Sequence, residues 1–314
     1  MWRIKEQRTR LKQLRPFIGK FSRGKMGRGL FFDGCLRASF AKSYELCVEA
    51  YSPRKNRIAF FLVPTLRSIC EDLIILGYIS RLEKADREEL TGLLTQHEVE
   101  TRLESQARFF KTARPDQPVL TWQGEDIKAT QDAIRQIWKR NGWPGLNQAW
   151  MPPVRQIAEK HHLDLLTTLY DYLYRLTSGM VHFNPQVLLR SGWGGPPTYQ
   201  YSPKNFDRYY LAFARIYGML LFCLYFELFE RYLRAGAKVR SAILEIREDL
   251  LLDPRWPEIV TFEEMNLKPP KGYEILRMAF RAKDADRRKH GLLHARAHAS
   301  QPGAAADRPQ AGGG

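Results

Sequence analysis

VPTLRSICEDLIILGYI, residues 63–79, decides the class of fold. Apolar side chains fill it at helical spacing, and a proline in its second position belongs in a helix's first turn. The stretch is expected within a long apolar helix of roughly residues 58–82, with Pro64 in its true first turn. Arg67 and Glu71 lie four residues apart inside it. Unpaired, each such charge would cost several kcal/mol, so both need partners.

The same periodicity runs through most of the chain, with no sustained alternation that would support a sheet. The expected fold is all-α, a multi-helix bundle with a basic N-terminal helix and a disordered basic C-terminal tail. The first helix, about residues 2–15, should stop at Pro16. Gly24, Gly27 and Gly29 form a joint, and a helix near 35–51 closes at Ser52-Pro53. The mixed charges of ADREELTGLLTQHEVETRLESQARFFK mark a solvated helix face. Ile127 to Arg140 is a further helix, and a short one leads from Pro152-Pro153 to His162. Another runs from about Asp164 to His182 and an aromatic one from Asn205 to Ala235. Between the last two lies NPQVLLRSGWGGPPTYQYSP, a Gly/Pro-rich loop too long to be a mere connector. Three regions follow: 1–33, a basic helix and joint; 34–276, the helical domain; and 277–314, a basic tail ending in QPGAAADRPQAGGG.

The 314 residues are 44% apolar and 12% aromatic, too rich in core-forming side chains for a disordered chain. Of the net charge of +16, residues 1–28 supply +9 (ten Lys/Arg against Glu6) and residues 277–314 supply +5 (eight against three acids). The body is left at +2. Basic termini on a neutral body suit RNA or another polyanion, through counterion release; a solvated helix and solubilising tail explain the charge equally well. Cys35, Cys47, Cys70 and Cys223 form no C-x-x-C pair and read as buried thiols of a reducing, cytoplasmic compartment. The basic N-terminus lacks the apolar core of a secretory signal. IYGMLLFCLYF (216–226) is too short to span a bilayer, so no transmembrane segment is expected and a core or homodimer helix is.

The chemistry concentrates in YRLTSGMVHFNP, residues 174–185. At 100° per residue, Asp171, Arg175, Ser178 and His182 return to one face and form a polar stripe on a helix whose other side chains are largely apolar. Asp171 can pair with Arg175 across one turn. If this helix lies beside that of Arg67 and Glu71, the six polar residues can satisfy one another or a ligand. The arrangement offers a cation for phosphate, a group that titrates near neutral pH, and a helix end opening onto a Gly-rich loop. A purely structural ionic network uses the same residues.

Arg175, six residues and His182, late in a helix and followed by a polar residue and Pro, resembles the Arg-x(4 to 6)-His signature of the HEPN superfamily. The pairing of LRSICEDLIILGYI with YRLTSGMVH looks still more like an uncharacterised bacterial family with an R-x-x-x-E helix and, about a hundred residues later, an R-x-x-S-x-x-x-H helix. The likeness covers about residues 34–235. Leu176 stands where active HEPN nucleases often have a polar residue. The resemblance implies an all-α, often dimeric protein and a metal-independent endoribonuclease of toxin–antitoxin or antiviral defence systems, with no cofactor and no metal. A cognate antitoxin or defence partner would accompany it. Arg175 would stabilise phosphorane oxygens and His182 would act as general base or acid. Ser178 would bind phosphate or orient His182, and Arg67, Glu71 and Asp171 would form the supporting network. The alternative is a non-catalytic nucleic-acid- or nucleotide-binding module.

Other motifs rank lower. His161-His162 with Asp164 lacks metal-ligand spacing and is expected on the surface. GWGGPP (192–197) lacks the Gly-Lys-Ser/Thr of a P-loop and reads as a lid or turn. HGLLHARAH (290–298) falls in the expected tail.

Overall fold

The structure, a computed structural model, describes residues 4–25, 27, 29–53, 58–121, 126–161, 164–195, 198–253 and 256–258. The fold is all-α, with one small β-hairpin. Its axis is α10 (Asp207–Leu228), apolar on nearly every side and therefore in need of neighbours all round. α2 (Phe31–Tyr51), a 3₁₀ turn (Ala59–Leu62), α3 (Val63–Ile79) and α12 (Ala237–Leu251) supply them. Phe222 stacks on Phe40 with ring centroids 5.3 Å apart, and the Tyr225 hydroxyl donates to the Ile69 carbonyl at 3.2 Å. By length and composition alone α10 could cross a membrane, but 67% of its apolar window is buried in this core. Most of the apolar surface of this helix is therefore covered by the chain itself, with Tyr209, Leu211, Leu220 and Leu228 left partly buried.

Pro64 sits in the first turn of α3, where its missing N–H costs nothing. Pro16 does not stop α1, which runs on from Ile4 to Phe21. Leu11, Leu14, Ile18 and Phe21 recur at helical spacing and are buried. At roughly 1.5–3 kcal/mol per buried side chain they outweigh the ~3 kcal/mol penalty of an internal proline. α1 is thus part of the core rather than a loose arm. The Tyr44 hydroxyl donates to the Leu11 carbonyl at 2.8 Å, Gln7 Nε2 to Asp249 at 2.9 Å, and Arg10 pairs with Glu245 (3.2 Å) and Asp249 of α12. Lys5, Lys12, Arg15 and Lys20 remain exposed on its outer side.

α4 (Lys84–Ala113) and α5 (Ile127–Arg140) pair at one side of the bundle. Asp126 caps α5 by accepting from the Lys128 N–H at 3.1 Å, and Arg140 bridges to Asp86 and Glu89 of α4 at 2.6 and 2.7 Å. α6 (Val154–Glu159) lies on α3 and leads into α7 (Asp164–Leu169). His161, expected on the surface, is 2% exposed. Its Nε2 lies 2.8 Å from the Ile74 carbonyl, and its ring rests on Gly77, where a Cβ would meet Cε1 at 2.8 Å. His162 lies outside the described residues, as do HGLLHARAH and the rest of the basic tail.

The described part of the long Gly/Pro-rich loop is structured, while Pro196-Pro197 of GWGGPP lie outside the described residues. α9 (Pro185–Leu189) is followed by β1 (Gly192–Gly195), which pairs antiparallel with β2 (Thr198–Tyr201), and α11 (Glu230–Leu233) follows α10.

Candidate functional site

The helix expected over 164–182 is not one regular helix. After α7 the backbone makes a π turn at Tyr170–Tyr174 and resumes as α8 (Arg175–Val181). A π turn carries an extra residue and breaks the phase that a constant 100° step assumes. Asp171 and Arg175 accordingly do not pair. Asp171 is exposed and lies 3.9 Å from Arg155 of α6.

α8 packs on α3, and Arg67 is the centre of the contact. Its Nε donates to Ser178 Oγ at 2.9 Å and its Nη2 to the Tyr174 hydroxyl at 2.8 Å. Nη1 lies 3.2 Å from Glu71, one turn along α3. The guanidinium also sits over the Tyr174 ring at 4.7 Å from its centroid, and Tyr174 stacks on Tyr170 at 4.6 Å. Ser178 Oγ donates in turn to the Tyr174 carbonyl at 2.7 Å. A planar, permanently charged fork fits this set of partners where a lysine would not.

The electrostatics show a price for closing this junction. Burial pushes the Glu71 carboxyl above its usual range, only partly offset by Arg67. Burial and the Glu71 charge likewise raise the Tyr174 phenol, with Arg67 opposing. Tyr174 was not among the residues singled out from sequence, although it stands four before Ser178 and so shares its face.

The rest of the stripe faces outward. Arg175 and His182 are exposed, and neither has a hydrogen bond or ion pair to a side chain among the described residues. The His182 N–H donates to the Ser178 carbonyl at 3.0 Å, and its extended ψ of 159° ends α8. Asn184 then caps α9, its Oδ1 accepting from the N–H groups of Gln186 (3.0 Å) and Val187 (3.4 Å), with Pro185 as the first helical residue. The abrupt Asn-Pro stop is therefore the start of the next helix. Gly179 permits the turn, since a Cβ there would come within 2.8 Å of Asn184 Nδ2.

The six expected residues thus divide. Arg67, Glu71 and Ser178 meet at the α3–α8 junction with Tyr174; Arg175 and His182 stand free at the outer edge; Asp171 joins neither. Among the described residues no three His, Cys, Asp or Glu side chains are grouped to hold a metal ion. Cys47, Cys70 and Cys223 are buried free thiols and Cys35 is half-buried.

No curated protein and no solved structure matches the chain. Residues 37–194, about half of the chain and a span that includes Arg67, Glu71, Arg175 and His182, match a family of unknown function, and the chain belongs to that family, DUF5677.

Proposed function

We propose that the outer end of α8 is the active edge of an endoribonuclease that works without metal, with Arg175 and His182 as its chemical groups. The observation that carries the reading is the division of the stripe. The inner polar residues are consumed in fixing α8 to α3, while a cation and an imidazole, seven residues apart and exposed, have no side-chain partner among the described residues to explain them.

In the proposed reaction an RNA 2′-oxygen bonds to the adjacent phosphorus and the bond to the 5′-oxygen breaks. The proton lost by the 2′-hydroxyl is balanced by the one the departing 5′-oxygen gains. The products are a 2′,3′-cyclic phosphate and a 5′-hydroxyl. His182 serves one of the two transfers, a role worth about 10²–10⁴-fold. Arg175 offsets charge on the phosphorane oxygens, worth a few kcal/mol. Arg67, tied to Ser178 and Tyr174, holds the helix that presents both. The exposed cations of α1, and the free thiols suited to a reducing cytoplasm, agree with an RNA-directed role. A bacterial toxin or defence setting extends the HEPN resemblance.

The test is cleavage of single-stranded RNA in EDTA with end-group analysis of the products. Cyclic phosphate ends, lost in both His182→Ala and Arg175→Ala, are expected. Binding without cleavage by the wild type would reject the nuclease in favour of a non-catalytic RNA-binding module.

A further inference from the structure

Between Asp171 and Asp207 the chain has no carboxylate side chain, while Arg175, His182, Arg190 and Lys204 fall in the interval. The same interval exposes aromatic rings: Phe183 is 86% exposed, Tyr201 59%, Trp193 50% and Tyr199 45%. The hairpin arranges three of them. Tyr201 pairs with Gly192 and Tyr199 with Gly194, so both tyrosines share a face on which the opposing strand has no side chain. The Tyr201 ring lies across Gly192, where a Cβ would meet Cε1 at 2.8 Å. Gly194, at φ +147°, adopts a backbone conformation that side chains disfavour. Trp193 takes the other face, edge-on to Phe206 at 5.3 Å.

Exposed aromatic side chains this frequent in one short interval mark a candidate binding surface. Its chemistry selects the occupant. Exposed rings in an interval that carries cations and no carboxylate complement a polyanion that carries its own π-faces. A duplex hides its base faces in the stack, whereas an unpaired strand offers them. We propose that strands β1 and β2 and Phe183 form a stacking platform for single-stranded RNA, with Arg175 and Lys204 contacting its phosphates. The platform rests on the RNA reading of the α8 edge and names its substrate class, an unpaired strand led across the hairpin toward His182.

A fluorescein-labelled, uncleavable 2′-O-methyl RNA strand of about 12 nucleotides, within the range of such sites, and its blunt duplex serve as probes in anisotropy titrations. The wild type should bind the strand at least ~10-fold more tightly than the duplex. Tyr199→Ala and Tyr201→Ala should each weaken strand binding by about 5- to 100-fold, the range measured for loss of one stacked base. Tyr→Phe at either position should bind like the wild type, and all four variants should melt like it. The platform is rejected if the double alanine variant binds the strand unchanged, if duplex and strand bind alike, or if the wild type binds neither. It is also rejected if the alanine variants keep their affinity but fall from dimer to monomer in light scattering, since the face would then join two copies. Tyrosine-dependent binding of the uncleavable strand with no cleavage of natural RNA would leave the platform standing and remove the nuclease. Cleavage undiminished by the double variant would do the reverse.

Discussion

α10 and the 181–201 edge are both rich in apolar and aromatic residues, yet their environments are opposite. From Ile216 to Phe226 nearly every α10 side chain is buried, whereas Val181, Phe183, Leu188, Leu189, Trp193, Tyr199 and Tyr201 are exposed. α10 meets a partner helix on each face; the edge projects a short helix and a two-stranded hairpin with little behind them. Apolar content measures the capacity to bury surface, and topology decides whether that capacity is spent on folding or left for binding.

The sharpest way to break this contrast is one large truncation in each region. Phe222→Ala removes a fully buried ring stacked on Phe40 and should cost about 3–5 kcal/mol in chemical denaturation, while Phe183→Ala should stay within about 0.5 kcal/mol. Similar losses at the two sites would contradict the division. α1 supplies the next test. Leu14→Ala should cost about 2–5 kcal/mol, because Leu14 lies in the common core, whereas Lys12→Ala with Arg15→Ala should leave stability unchanged and reduce the salt dependence of RNA binding. A free basic arm would lose no stability from Leu14→Ala.

At the α3–α8 junction the effects are smaller. Arg67→Ala strands Ser178, Tyr174 and Glu71, and should cost about 1–3 kcal/mol, with Arg67→Lys restoring only part. Glu71→Gln should have the least effect, and its size changes with pH. Because the folded protein raises the Glu71 carboxyl above 4.5, the unfolded chain ionises first as pH rises. Wild-type stability relative to Glu71→Gln is therefore greatest below pH 4.5 and declines through the raised folded value. Urea midpoints of both proteins across that interval measure it, and a rising difference would contradict the assignment.

Much of the architecture was legible because burial leaves a periodic trace: Pro64 at the start of α3, the apolar run of α10 and the Ile127–Arg140 helix all carry it. Pro16 misled because a local penalty was set against a tertiary gain that becomes visible only when α2 and α12 lie beside α1. His161 misled because its burial depends on Gly77, 84 positions earlier in the chain. At the candidate site, the meeting of Arg67, Glu71 and Ser178 followed from the cost of leaving charges unpaired. The pairing of Asp171 with Arg175 failed at the π turn, for which a uniform 100° step has no place. Nothing in Tyr170–Tyr174 announces that turn as the apolar period announces a helix.

In the proposed function the inner half of the polar stripe holds the fold and the outer half does the chemistry. Unfolding and cyclic-phosphate production, measured side by side on His182→Ala, test it most directly. The variant should show a denaturation midpoint equal to that of the wild type and no cleavage in EDTA. A His182→Ala protein that unfolds early by about 1–3 kcal/mol, beside a wild type that cuts no RNA, would contradict it and return the whole stripe to a structural role.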